Sequence, residues 1–109
     1  MEENDVVKAL AALAQPIRLQ VFRALVVVGS QGMTPTTMAE ALDMPLSSLS
    51  FHLKELTNAG LIAPERASRN LIYRASFARM NALLQYLTDN CCQGEDCAVG
   101  TAKTSCSTC

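Results

Sequence analysis

Apolar residues recur along most of the chain at intervals of three and four, the spacing that places side chains on one face of an α-helix. Start and stop signals agree with this periodicity: Asn4 or Asp5 caps the first helix, and Pro16 suits the first turn of the second. Gly29 ends the second helix, and Thr34 caps a short third one. The pattern predicts helices over residues 6–14, 16–28, 35–42, 46–59 and 77–90.

The region between the last two helices has a different pattern. Two short runs of β-type residues, 61–63 and 71–73, flank a polar, turn-rich segment, which predicts a β-hairpin. A short helix, a tight turn and a second helix form a helix-turn-helix, and a hairpin directly after it forms a wing. The sequence therefore predicts a mainly α fold with a β-hairpin wing, a winged helix-turn-helix, over residues 1–92.

Composition limits the classes of protein to which the chain can belong. The 109 residues match the size of one domain, and 50% of them are hydrophobic. The longest apolar runs are far shorter than the ~18–20 residues that cross a membrane, and the acidic N-terminus is unlike a secretory signal. Because no nucleophile–base pair, phosphate loop or carboxylate pair stands out, we do not expect an enzyme. We expect a cytoplasmic protein with no membrane partner.

The charge is unevenly distributed and suggests a partner. The formal net charge is −1, but residues 46–79 carry +3, and the segments on either side carry −2 each. A basic middle segment is what a surface facing DNA needs. In a helix-turn-helix, the second helix places its N-terminal half in the major groove of double-stranded operator DNA. The residues predicted to contact DNA are Ser47, Ser48, Ser50, His52 and Lys54 on this helix and Arg66, Arg69 and Asn70 at the wing tip.

Two alternatives accompany this prediction. His52 is the only histidine of the chain, and it suits a packed residue or a lone metal ligand as well as a donor to a base. The whole segment is also compatible with an ordinary solvated helix followed by a charged hairpin turn.

The middle of the chain resembles a known family. The stretch SSLSFHLKELTNAGLI, followed by RASRNLIYRAS, resembles the recognition helix and wing of the ArsR/SmtB family of bacterial metal-responsive repressors. The resemblance extends from about residue 6 to residue 97. It implies a homodimer whose first and last helices form the interface. It also implies a repressor of its own operon that an inducing ion releases from DNA.

Members of this family differ in where they bind the ion. Many arsenic sensors carry a Cys-x-Cys pair in the first helix of the helix-turn-helix, and this sequence has no cysteine there. Zinc sensors carry Asp and His ligands on the last helix, and residues 77–90 contain no histidine. The segment NCCQGEDC resembles instead the arsenite-responsive members whose cysteines lie at the C-terminal end of that helix.

The cysteines support the same kind of site on chemical grounds. All five lie within the last 19 residues, and an odd cluster at one end is a poor disulfide framework. Three thiolates without a nearby histidine favour a thiophilic ion that accepts three ligands, whereas zinc prefers four. We predict that Cys91, Cys92 and Cys97 bind As(III) or Sb(III) as inducer. Residues 93–109 are predicted to form a Cys-rich, metalloid-binding C-terminal segment and flexible tail. Zinc or cadmium remains an alternative if Cys106 or Cys109 supplies a fourth ligand.

Two other functions use the same thiols. A redox switch would bind DNA and sense oxidants through its cysteines. A small metal-delivery protein would use them for transport, but that function leaves the basic wing without a role. The main prediction is therefore a transcriptional repressor that As(III) or Sb(III) releases from its operator.

Overall fold

The helix order expected from the periodicity is confirmed. The structure, a computed structural model that describes residues 1–89, adds one single-turn 3₁₀ helix to the predicted elements. In chain order the elements are α1 (Glu3–Leu13), α2 (Pro16–Val28), the 3₁₀ turn (Gly29–Gln31), α3 (Pro35–Leu42), α4 (Leu46–Asn58), β1 (Ile62–Ala67), β2 (Asn70–Ala75) and α5 (Phe77–Thr88).

Several helix ends follow directly from local chemistry. Helix α1 begins three residues earlier than predicted, because the Asp5 carboxylate accepts a hydrogen bond from the backbone N–H of Glu2 at 3.3 Å. The prediction that Asn4 or Asp5 is the N-cap is wrong, because Glu2 takes that position and Asp5 completes a capping box from the first turn, where the helix dipole also favours a negative charge. Helices α2 and α3 begin with proline, as predicted, and the Thr34 hydroxyl accepts from the N–H of Thr37 at 3.2 Å.

The hairpin is longer and tighter than predicted. Strands β1 and β2 pair antiparallel from Ile62 opposite Ala75 to Ala67 opposite Asn70, which leaves only Ser68 and Arg69 in the turn. The prediction that Arg66 lies at the wing tip is wrong, because this residue is inside β1 and pairs with Leu71. Period-two alternation was too weak in this polar segment to show that it forms strands.

A close backbone approach joins the wing to the helices. Met33 and Tyr73 exchange two backbone hydrogen bonds, of 3.0 and 2.8 Å, on the open edge of β2. Gly32, with φ of 70°, makes this possible, since a Cβ atom there would lie 2.8 Å from the Tyr73 carbonyl oxygen. Arg74 extends the same junction, because its Nε donates to the Ser30 carbonyl at 2.7 Å.

A single cluster of apolar side chains connects the helices and the hairpin. Helices α1 to α4 and both strands contribute buried residues to it, and α5 contributes one, Leu83. The largest fully buried side chains are Val21, Leu25, Met38, Leu49, Leu56, Leu61 and Ile62. Met38 comes from α3, and Leu49 and Leu56 come from α4. Because both helices bury side chains in the same core, the helix-turn-helix has a fixed orientation on the rest of the domain.

Among residues 1–89, no single helix is long and apolar enough to cross a membrane. Helices α1 and α2 with the 3₁₀ turn have the combined length and apolar composition of such a span, but the chain bends by 101° at the break between α1 and α2.

Candidate nucleic-acid interface

The turn between α3 and α4 is sharp and is built from a left-handed residue. Asp43 has a φ of 52°, and its backbone N–H caps the end of α3 by donating to the carbonyls of Ala39 and Glu40. Pro45 then precedes the first residue of α4, where its fixed φ suits the entry into a helix. The short α3, this tight turn and α4 form the predicted helix-turn-helix.

Helix α4 has one buried face and one exposed face. Leu49, Leu53 and Leu56 are at most 2% exposed and face the core. The predicted DNA-contacting residues Ser47, Ser48, Ser50 and Lys54 are all exposed. The exposed face thus presents hydroxyl groups along the first half of the helix, which is the half that enters a major groove in a helix-turn-helix, and one cation in the second half.

His52 is placed differently from the other predicted residues of α4. It is 6% exposed, and its Nδ1 accepts a hydrogen bond of 3.2 Å from Nε of Arg18, a residue of α2. Burial, followed by the nearby Arg18 charge, lowers the pKa of His52 from its ordinary value of 6.5. The imidazole is therefore a packed, neutral acceptor that joins α2 to α4, which is the packed alternative left open by the sequence.

The wing carries the remaining predicted contacts. Arg66, Arg69 and Asn70 are exposed, with Arg69 in the two-residue turn and Asn70 at the first pair of β2. Arg66 lies three residues earlier on β1. The hairpin thus brings Arg69 and Asn70 to its distal end, and Arg66 lies one residue pair further from the turn.

The rest of the basic segment is held within the domain. Arg74 forms an ion pair with Glu65 on the neighbouring strand, in addition to its bond to Ser30. The Arg79 guanidinium lies against Gly60, where an added Cβ atom would lie 2.8 Å from Nε. The net charge of residues 46–79 therefore overstated the number of cations available to DNA, because Arg74 and Arg79 contact other parts of the domain.

Sequence reasoning missed two residues of this region. Phe51 is 55% exposed on α4, and the Arg18 guanidinium carbon lies 5.5 Å from the centre of its ring. A helical wheel already places Phe51 on the polar face, four residues after Ser47 and three before Lys54. Nothing in the local sequence marks Arg18, because its partners are more than 30 residues away.

The predicted ion ligands Cys91, Cys92 and Cys97 lie outside the described residues, as do Cys106 and Cys109. Among residues 1–89, no three side chains of His, Cys, Asp or Glu are grouped so that they could hold a metal ion.

Comparisons with known proteins agree with the fold. A family model described as a helix-turn-helix domain matches residues 13–65. The HTH-type transcriptional regulator NmtR of Mycobacterium tuberculosis is 39% identical over 70 residues, which are 63% of this chain and 55% of that protein. The chain therefore spans little more than half the length of this curated relative.

Two solved structures extend the likeness beyond the helix-turn-helix. The homodimeric winged helix-turn-helix domain of Mb0332 from Mycobacterium bovis, a possible ArsR-family regulator, is 28% identical with a TM-score of 0.62. That match covers 86% of this chain and 87% of the other. A possible transcriptional regulator for arsenical resistance is also 28% identical, with a TM-score of 0.60 over 77% of this chain and 88% of the other. Together with the fold, these matches show that the chain is similar to winged helix-turn-helix domains, one of which belongs to a possible ArsR-family regulator.

Proposed function

We propose that the chain is a DNA-binding transcriptional repressor that acts as a homodimer in the cytoplasm. The observation that carries the proposal is the division of α4 into a leucine face fixed in the core and a serine- and lysine-bearing face open to solvent. A helix held in this way can enter a major groove without rearrangement of the domain. The exposed wing arginines add phosphate contacts at the side of the helix.

The dimer is supported by apolar side chains that one copy leaves exposed. Val7 and Leu10 on α1 are 57% and 42% exposed, and Leu84 and Leu87 on α5 are 54% and 55% exposed. Pairing of these helices around a two-fold axis would bury all of them. The Mb0332 domain, similar over most of its length, is a homodimer, which supports the same assembly here.

The proposed inducer is As(III) or Sb(III), bound by Cys91, Cys92 and Cys97 of one chain, so that a dimer binds two ions. The support is chemical: three thiolates match the preference of these ions for three soft ligands. A relative that carries arsenical resistance in its name supports the same class of inducer. The first two cysteines follow shortly after the end of α5 at Thr88.

This position suggests how the ion would act on DNA binding. Drawing three cysteines onto one ion reshapes the segment that follows α5, a helix that we place in the dimer interface. The two copies of α4 must match half-sites about one DNA turn, ~34 Å, apart, so a change at the interface alters their fit. Ion and DNA then weaken each other's binding by the same factor, with a coupling of ~1–3 kcal/mol in typical cases.

Release from DNA tests the proposal directly. The intact protein would first be used to enrich a duplex from a random-sequence pool, and binding to that duplex would be followed by fluorescence anisotropy. We expect arsenite to release the wild type, whereas C91S, C92S and C97S each bind DNA normally and resist release. The double variant C106S/C109S is the matched control and should be released like the wild type.

Each other outcome has a distinct meaning. Failure to enrich any duplex contradicts DNA binding itself. Release by zinc or cadmium, or by peroxide with arsenite inactive, contradicts the proposed inducer and favours the metal or redox alternative. If the C106S/C109S pair is required and Cys97 is dispensable, the set of ligands is wrong.

A further inference from the structure

The exposed face of α4 carries one aromatic ring among polar side chains. Phe51 forms a stripe with Ser47, Lys54 and Asn58 at the spacing i, i+4, i+7 and i+11, and all four residues are exposed. A single exposed apolar residue is ordinary on a protein surface. Phe51 differs because it stands between Ser47 and Lys54, two of the proposed DNA contacts, on the same stripe.

The ring is also held in place by two neighbours. The Arg18 guanidinium carbon lies 5.5 Å from its centroid, within the range of a cation–π contact. The His52 ring packs against it edge to face, with 5.6 Å between the two centroids and 63° between the planes. Since Arg18 donates in turn to His52, the three side chains form one cluster that connects α2 to the exposed face of α4.

Contact with Arg18 and His52 restricts the conformations of the Phe51 side chain before any partner binds. A ring that is already restrained loses less conformational entropy when a partner covers it. The cluster therefore prepares Phe51 for contact with an apolar group on the surface that α4 meets. Arg18 and His52 act as positioning residues, because they fix the ring.

Only one base offers such a group in the major groove. Thymine presents its 5-methyl group there, whereas the other base edges present hydrogen-bond donors and acceptors, and phenylalanine has none of either to offer. We propose that Phe51 recognises a thymine of the operator by contact with its 5-methyl group. The proposal rests on the DNA-binding function proposed above and adds a determinant of sequence specificity to it.

Substitution of uracil for thymine tests this contact, because it removes only the methyl group. The duplex enriched by the wild-type protein would be prepared with each thymine replaced singly by uracil. We expect one thymine in each half-site at which the replacement weakens wild-type binding about fourfold, the effect of one buried carbon group. At the remaining thymines the change should be small.

The variant F51A should bind the thymine and uracil duplexes with nearly equal affinity at that position. F51L, which retains an apolar side chain, should keep part of the difference. K54A is the matched control on the same stripe: it should weaken binding to every duplex while keeping the fourfold difference. V27A, at an exposed apolar residue of α2, should change neither the affinity for DNA nor the fourfold difference between thymine and uracil.

Three results would overturn the inference. The first is a thymine preference that is unchanged in both F51A and F51L. The second is a change of oligomeric state in F51A by sedimentation, which would make the ring a protein contact. The third is the absence of any uracil-sensitive position in a duplex that the wild type binds tightly, which leaves the proposed DNA binding intact. Failure to enrich a duplex at all removes both proposals together.

Discussion

Helices α4 and α5 are nearly equal in length but differ in how one chain uses them. Helix α4 buries Leu49, His52, Leu53 and Leu56, whereas α5 buries only Leu83. The leucines of the buried face of α4 are covered within one copy, and its exposed face is mainly polar apart from Leu46 and Phe51. Helix α5 leaves Leu84 and Leu87 more than half exposed, and the proposed dimer would cover this apolar surface. We therefore expect α4 to present its exposed face to DNA and α5 to have its exposed face covered in the dimer.

The largest effect is expected from breaking the buried face of α4. L53A removes a side chain that is 2% exposed and should lower the free energy of unfolding by about 2–5 kcal/mol. Urea denaturation at two protein concentrations would measure this loss, which should be present at both. L84A is the matched change on α5, and its loss should appear mainly at the higher concentration. If L53A and L84A lose the same free energy of unfolding at both protein concentrations, then α5 is not covered by a second copy as we propose.

The second prediction breaks the exposed face of α5. L84E/L87E places two charges on the surface that we expect to be covered in the dimer, where an unpaired buried charge is strongly disfavoured. Sedimentation equilibrium at micromolar concentration should show a dimer for the wild type and a monomer for this variant. V27E, at a residue of α2 that is 75% exposed, should remain dimeric. A dimeric L84E/L87E would place the interface elsewhere.

The third prediction concerns the polar member of the buried face of α4. Because the pKa of folded His52 is lowered, the unfolded chain binds the proton more readily, and folding is penalised as pH decreases. Stability should therefore fall as pH drops from about 6.5 through the lower folded pKa, with a slope of at most ~1.4 kcal/mol per pH unit. Urea denaturation between pH 7.5 and 5.5 should show that the free energy of unfolding of H52Q changes less with pH than that of the wild type. Equal pH dependence in the two proteins would show that His52 does not cause the loss of stability in acid.

The smallest effect is expected at the wing tip, where Arg69 lies exposed in the two-residue turn. R69A should weaken DNA binding similarly for all sequences and reduce the slope of log affinity against log salt by about one. Anisotropy titrations at several salt concentrations would measure this slope. K8A, which removes an exposed cation from α1, is the control and should leave the slope unchanged. An unaltered slope in R69A would show that the wing tip does not reach a phosphate.

Elements with strong local signals were predicted well from the sequence. Pro16, Gly29 and Thr34 begin or end their helices as expected, because their effects act within one turn of the backbone. The leucine spacing of α4 also identified its buried face correctly. The strands were predicted too short, since their register depends on pairing with a neighbouring strand, and segment 64–70 has little apolar alternation of its own.

The candidate site was predicted in part. The exposure of the serines and Lys54 followed from the helical wheel of α4. The same wheel places His52 near the edge of the buried face, but whether an edge residue is covered depends on the neighbouring helix. Arg18, 34 positions earlier in the chain, provides that neighbour and the hydrogen bond.

The sequence by itself determined the order of the elements, the helix-turn-helix with its wing, and the set of residue types available to contact DNA. These properties arise from backbone preferences and periodicity, which act over a few residues. Only the tertiary structure decided which cations remain at the surface, that His52 is a buried acceptor, and that Arg18 holds the exposed ring of Phe51. Those outcomes depend on distances between residues far apart in the chain, and packing sets such distances after the local elements have formed.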